Sequence, residues 1–172
     1  MKIFLCAFLI VGCLVSCKNN SATEDDLEWN NELSTKYNKL NAQEEEIDIK
    51  LYLARKPSWK MIKTGSGLQY YIYNEKEGEL AKVGDHIEAQ FKIELLDGDI
   101  VEETKSDEVV EFKVDHAQIE TGIQEAVKYM KEGERAKLII PSHLAHGVVG
   151  DLSKIPPLSV LVVDMYIHRI NR

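Results

Sequence analysis

The chain has 172 residues, of which 44% are hydrophobic and 29% charged, and a formal net charge of −8. This length and balance fit one globular domain with residues to spare for an arm or tether, and the negative charge disfavours nucleic acid because no basic stripe could neutralise phosphates. It also disfavours a helix lying on an anionic bilayer, so polypeptides or small neutral molecules are the expected partners.

The N-terminus has the pattern of an exported protein. The apolar run Ile3–Val15 is shorter than the roughly 20 residues that span a bilayer and suits the core of a signal peptide. It ends on "LVSC", which resembles the bacterial lipobox, in which the cysteine is diacylated and begins the mature chain. An ordinary signal peptide followed by a chance cysteine is the alternative. We expect residues 1–16 to be a signal peptide and Cys17 to be lipidated, which would anchor the protein to a membrane of the cell envelope.

A polar tether and a helical arm are predicted next. Residues 17–24 are polar and without periodicity, which is typical of a flexible tether. Residues 25–57 carry apolar side chains at helical spacing and predict one or two amphipathic helices ending before the proline at position 57. The arm either packs on the following domain or serves as a dimerising or partner-binding element. So few turns form only a marginal helix in isolation, which favours packing. The apolar positions are Leu33, Tyr37, Leu40, Ile47 and Leu51, with Glu44 in an apolar slot.

The remaining residues, 58–172, predict an antiparallel α+β domain with one short helix among five to six strands. "HIEAQFKIELL" alternates cleanly and ends at the turn "LDGD". "TGIQEAVKYMKEGE" has helical spacing, and Gly133 is placed to end that helix. The other strand candidates are "LQYYIY", "DIVEET", "VVEFKV", "RAKLIIP" and "SVLVVDMYIHRI".

Most catalytic templates are absent from the sequence. It has no GxSxG, P-loop or HExxH motif, and its three cysteines all precede residue 18, so the predicted domain holds no thiol nucleophile. His143 and His146 are three residues apart on a presumed loop, without a third ligand at a recognisable spacing. The acidic run 97–107 lacks the spacing of a calcium loop. We expect no metal and no cofactor.

Four segments together resemble the FKBP-type peptidyl-prolyl cis-trans isomerases. They are "TGSGLQYYI", "GDHIEAQFKIELLDGDIVEET", "TGIQEAVKYMKEGERAKLIIPSHLAHG" and "IPPLSVLVVDMYIHRI". The lipobox and acidic arm upstream resemble the lipid-anchored members of Bacteroidetes-type bacteria, which include gliding-motility-associated lipoproteins. The resemblance implies a twisted antiparallel sheet wrapped around one short helix. It also implies prolyl isomerase activity on proline-containing polypeptides of the envelope.

The resemblance implies four catalytic positions. Phe91 stands where the family usually has tyrosine, and Glu102 where it has aspartate. Glu120 stands where the family prefers an aliphatic residue, and its backbone N–H would donate to a substrate carbonyl. His146 occupies the position of the "AYG" tyrosine, whose hydroxyl donates in the family. A neutral imidazole can also donate one N–H, so His146 is either an altered donor or a surface-loop residue.

The resemblance also implies a substrate-binding wall in which several family aromatics are replaced by aliphatic residues. Two hypotheses follow: a lipid-anchored isomerase that assists the folding of exported proteins, or a catalytically weak module serving as a structural or assembly component of an envelope complex. The sequence leaves the oligomeric state open. The wall residues are Val101, Val110, Phe112, Ile119, Ile123, Ile155 and Val163.

Overall fold

The computed structural model describes residues 31–116 and 119–172. The predicted signal peptide, Cys17, the tether and the start of the arm lie outside the described residues. A 3₁₀ turn, Ser142–Leu144, follows the sixth strand. The helices are α1 (Asn31–Ala54) and α2 (Thr121–Val127), and the strands are β1 (Ile62–Lys63), β2 (Gln69–Asn74), β3 (His86–Leu95), β4 (Ile100–Glu103), β5 (Val110–Lys113), β6 (Arg135–Ile140) and β7 (Leu161–Asn171).

The strands form one antiparallel sheet, which confirms the predicted α+β class. The described residues form seven strands, in the order β1-β2-β6-β7-β3-β4, and β5 pairs with β3. The sequence predicts five to six strands, and the one it misses is β1. This strand has two residues and pairs with β2 across the "TGSG" turn. Two residues are too few to show the alternation by which a strand is recognised.

The inner face of the sheet holds the main core and packs against α2. Strand β3 buries every second residue from Ile87 to Ile93, as its alternating sequence predicts. Ile123 of α2 is fully buried in the same cluster. The helix approaches β6 closely because Gly122 has no side chain: a Cβ there would lie 2.3 Å from Cγ2 of Ile140. The N-terminus of α2 is thereby held against the sheet.

The outer face of the sheet is covered by the second half of α1. Ile49 and Tyr52 of the helix are buried against Ile139 of β6 and against Val160 and Val162 at the start of β7. The arm is therefore a packed layer of the structure, as the weakness of a short isolated helix indicates. The molecule has three layers in this region, with the sheet between α1 and α2.

The stripe that predicts an amphipathic α1 is not the face that packs, which corrects that interpretation. Tyr37, Leu40, Ile47 and Leu51 are 43%, 50%, 56% and 63% exposed. The packed face includes Glu45, whose carboxylate finds hydrogen-bond donors on the domain. The search for hydrophobic periodicity does not count a glutamate such as Glu45 as a buried position. It therefore selects the exposed apolar face of α1 instead of the face that packs.

Helix α2 is shorter than its sequence pattern predicts. It ends at Val127, and the N–H groups of Tyr129 and Met130 bond to carbonyls three residues back, as in a tightening last turn. Gly133 does not end the helix. It lies in the turn before β6 with φ of +81°, and its N–H donates to the carbonyl of Ile167 at 2.9 Å.

Candidate active site

A cavity of about 630 Å³ opens on the inner face of the sheet, beside the N-terminus of α2. Strands β3, β4 and β5 form one wall, the start of α2 forms another, and the loop after β6 closes the third side. The cavity is lined by Phe91, Ile93, Glu102, Val110, Glu111, Phe112, Ile119, Glu120, Thr121, Ile123, Ala145 and His146.

The floor of the cavity is apolar. Phe91 of β3 and Phe112 of β5 are both buried, and their ring centroids lie 6.2 Å apart with the rings tilted by 35°. The inward alternation of the two strands puts both rings on the face that packs against α2. Ile123, one residue after Gly122, completes the floor. A site of this kind suits a ligand in which an apolar ring is flanked by polar groups.

Glu120 and His146 face each other across one side of the cavity. Nε2 of His146 lies 3.1 Å from Oε1 of Glu120, and the two side chains are 29% and 15% exposed. An ionised carboxylate can only accept, so the imidazole donates its Nε2–H. Glu120 is the N-cap residue of α2, yet its side chain makes no capping hydrogen bond. Its carboxylate is committed to His146 instead.

The loop that carries His146 is held by backbone hydrogen bonds. The carbonyl of Ser142 accepts from the N–H groups of Ala145 and Gly147, at 3.0 and 2.8 Å. Gly147 has φ of +62°, a left-handed conformation that favours glycine. Its carbonyl accepts from the N–H of Leu158 at 2.9 Å, which joins this loop to the double-proline segment.

Asp151 organises the segment that leads to the double proline. One of its carboxylate oxygens, Oδ1, accepts from the N–H groups of Ser153, Lys154 and Ile155 at 2.7–2.8 Å. The bond from Ile155 contributes most to holding the pKa of Asp151 below its ordinary value, followed by that from Ser153. Gly150 fits beside this turn because it lacks a Cβ, which would lie 2.2 Å from the carbonyl oxygen of Ile155.

The structure brings most of the predicted site residues together at the cavity. All four residues predicted as catalytic (Phe91, Glu102, Glu120 and His146) line it, and so do Val110, Phe112, Ile119 and Ile123. Their roles remain predictions.

Three predicted wall residues are not among those that line the cavity. Val163 is fully buried near the start of β7. Val101 is 6% exposed, and its carbonyl accepts from Nζ of Lys154 at 3.0 Å. Ile155 is 8% exposed and packs in the same core cluster. All three belong to the buried cluster that also contains the floor residues Phe91, Phe112 and Ile123.

Some lining residues are missing from the prediction. Ile93 follows Phe91 by two residues on an alternating strand, so its inward direction was readable from the sequence. Thr121 and Ala145 are chain neighbours of predicted residues. Glu111 lies between two inward-facing residues of β5, and nothing in its position signals a place at the cavity. The Glu120–His146 pair was also missed, although both residues depart from the family pattern.

Two other kinds of feature are absent from the part of the chain that the structure describes. Over residues 31–116 and 119–172, no three histidine, cysteine, aspartate or glutamate side chains converge as metal ligands would. Over the same ranges, no helix combines the length and the apolar composition needed to cross a membrane.

An open antiparallel sheet that packs on a short helix, with an apolar cavity at that helix's N-terminus, defines an FKBP-like domain. A model of the FKBP-type peptidyl-prolyl cis-trans isomerases matches residues 77–168. The chain belongs to this family.

Curated relatives include two bacterial proteins with FkpA in their names. The probable FKBP-type isomerase FkpA of Neisseria meningitidis serogroup B is 34% identical over 109 residues, which are 63% of this chain and 39% of that protein. FkpA of Escherichia coli K12 is 33% identical over 127 residues, which are 73% of this chain and 46% of that protein. The chain thus spans about half the length of these relatives or less.

Solved structures show the same fold. The crystal structure of E. coli FkpA superposes with a TM-score of 0.66 and 27% identity, covering 81% of this chain and 64% of that one. A peptidyl-prolyl isomerase structure from Pseudomonas syringae also gives a TM-score of 0.66, covering 78% of this chain and 96% of that one. At 19% identity, this second similarity concerns the fold alone.

Proposed function

We propose that the chain is a peptidyl-prolyl cis-trans isomerase that acts on proline-containing segments of exported or envelope proteins. The observation that carries this proposal is the cavity of about 630 Å³, with an apolar floor of Phe91, Phe112 and Ile123. The flank formed by Glu120 and His146 lies where the family places its donors. Membership of the isomerase family supports the same activity.

The chemistry requires little beyond such a cavity. Rotation about a peptide bond crosses a barrier of roughly 18–20 kcal/mol, and uncatalysed prolyl isomerisation takes tens of seconds or longer. No proton or electron is transferred, so neither a nucleophile nor a general base is needed. Apolar surroundings weaken amide resonance because they disfavour its charge-separated planar form. Donors favour the twisted amide only where they are placed to meet the carbonyl oxygens in the twisted geometry and not in the planar one.

The proposed location is the cell envelope, with the protein anchored through lipidated Cys17. The support is the sequence of residues 1–17, where an apolar run of signal-peptide length ends on a lipobox-like cysteine. A diacyl anchor holds stably because each buried CH₂ contributes about 0.8 kcal/mol. The resemblance to lipid-anchored Bacteroidetes-type members supports the same placement.

A second candidate is a catalytically weak module that serves an envelope complex as a structural component. The Glu120–His146 contact favours it, because at 3.1 Å the donor that the proposed mechanism uses is already engaged by the protein's own carboxylate. The aliphatic residues at positions where the family has aromatics favour it as well.

Prolyl exchange on a short X-Pro peptide separates the two candidates. We expect the full chain, at catalytic concentration, to accelerate cis–trans exchange measured by NMR. Ile119→Arg places a charge on the cavity wall and should abolish the acceleration. Ile62→Arg, at an exposed position of β1, is the matched control and should leave it unchanged. Peptide binding without acceleration of exchange would favour the structural module. An equal loss of acceleration in Ile119→Arg and Ile62→Arg would show that catalysis does not depend on the cavity.

A further inference from the structure

Glu45 makes one of the contacts between the arm and the loop of the candidate site. This residue lies one turn before Ile49 on the face of α1 that packs against the domain. Its Oε2 accepts from the backbone N–H of Ser142 at 3.0 Å, and its Oε1 accepts from the hydroxyl of the same residue. Ser142 is 3% exposed and lies 97 residues further along the chain. Glu45 therefore satisfies both donors of a buried residue.

Ser142 in turn holds the two residues on either side of His146. Its carbonyl accepts from the N–H groups of Ala145 and Gly147, so one residue anchors both ends of the segment that presents the imidazole. Without Glu45, the buried N–H and hydroxyl of Ser142 would need other acceptors, and the turn would shift to find them. A small displacement of a loop that carries a site residue can reduce catalysis strongly.

We propose that Glu45 is a positioning residue, through which α1 sets the place of His146 in the cavity. The proposal rests on the proposed isomerase function for its kinetic consequence only. It makes the arm part of the catalytic unit, although none of the described residues of the arm, 31–57, lines the cavity.

The chain provides its own control, because Glu45 is the middle residue of three consecutive glutamates. Glu44 is exposed. Glu46 forms surface ion pairs with Lys50 and Lys63, at 3.1 and 3.5 Å. Replacing Glu44 removes the same charge from the same helix without touching Ser142.

The experiment compares Glu45→Ala and Glu45→Gln with Glu44→Ala and Glu44→Gln in the full chain. We expect Glu45→Ala to lower kcat for an X-Pro peptide about three- to tenfold with little change in KM, because the loop is displaced while the apolar floor stays intact. Glu45→Gln should fall between wild type and Glu45→Ala, since its amide oxygen accepts one of the two bonds. Both Glu44 variants should behave as wild type.

NMR of the His146 ring and of the Gly147 amide provides a readout that does not depend on activity. Both signals should move in the Glu45 variants and stay in place in the Glu44 variants, with His146→Gln used to assign the ring signals. If the wild type fails to accelerate exchange, the proposed function is wrong. The NMR signals of His146 and Gly147 then test by themselves whether Glu45 positions the loop. Equal signals in the Glu45 and Glu44 variants would overturn the proposal. If Glu45→Ala does not fold, the isosteric Glu45→Gln carries the comparison.

Discussion

Two departures from the family pattern compensate each other in the site. A glutamate at position 120 would leave a carboxylate only 15% exposed without a partner, which is costly. The histidine at position 146 supplies an N–H to that carboxylate. The site is therefore polar on this flank, and a substrate carbonyl that accepted from the His146 N–H would compete with Glu120.

The contact between Glu120 and His146 predicts how kcat/KM changes when an aliphatic residue is restored at position 120. Glu120→Ile frees the imidazole N–H and extends the apolar wall, and it preserves the backbone N–H at that position. A neutral hydrogen bond contributes about 0.5–1.5 kcal/mol, so kcat/KM for a neutral X-Pro peptide should rise by up to roughly tenfold. Glu103→Ile, an exposed change on β4, is the control for lost charge. A fall in kcat/KM with Glu120→Ile would mean that the carboxylate itself serves the reaction.

Asp151 predicts a stability difference that depends on pH. Its pKa is lowered in the folded protein, chiefly by the N–H of Ile155, so its contribution is present above the unfolded value of about 3.9 and is lost as the pH falls through the folded value. Asp151→Asn should therefore destabilise the protein at pH 6 and differ less from wild type near pH 3. Urea unfolding at the two pH values measures this. Asp107→Asn, in an exposed loop, is the control. A gap of equal size at both pH values would contradict the role of the charge.

At the scale of the elements, the sheet shows what the sequence could and could not reveal. Strand β3 was readable because one of its faces is buried and the other is not. Strands β6 and β7 carry apolar residues on both faces, as in "LII" and "VLVV", which indicates that something covers the outer side. The sequence does not say which face of α1 provides that cover. The face of α1 that packs on the sheet is the one that carries Tyr52 and Glu45. The carboxylate of Glu45 accepts from Ser142, which lies 97 residues further along the chain.

For the candidate site, too, the sequence reveals some features and not others. Positions within a motif, such as Phe91 and Ile123, were placed by the resemblance. The contact between Glu120 and His146 joins two separate motifs, and only the folded chain shows it. Val101, Ile155 and Val163 are buried and are not among the residues that line the cavity, and a motif position in a sequence gives no measure of how deep a side chain lies.

The arm predicts a limited loss of stability when it is removed. Deleting residues 18–57 should leave a domain that still melts cooperatively, because residues 31–57, the part of the arm that the structure describes, contribute nothing to the core on the inner face. Its Tm should fall, since Ile139, Val160 and Val162 lose their cover. Circular dichroism of both chains during heating measures this. Failure of residues 58–172 to melt cooperatively would show that the arm is integral to folding.

At the scale of the whole molecule, the proposed anchor predicts how the protein fractionates. Cys17→Ala should release the protein from the membrane fraction or block its processing, because it removes the thiol on which acylation is proposed. Cys6→Ala and Cys13→Ala are the matched controls and should leave fractionation unchanged. Retention of the Cys17→Ala protein in membranes after a high-salt wash would exclude the lipid anchor.

The edge strands of the sheet affect the solubility of the protein. An open sheet presents unpaired backbone groups at its margins, which invite pairing with any extended chain. Here one margin is β1, two residues long and carrying Lys63, and the other includes β4, four residues long and carrying Glu102 and Glu103. Short, charged margins of this kind resist the addition of further strands. The proposed substrates are segments of other polypeptides, and such margins would limit aggregation with those polypeptides along the edges of the sheet.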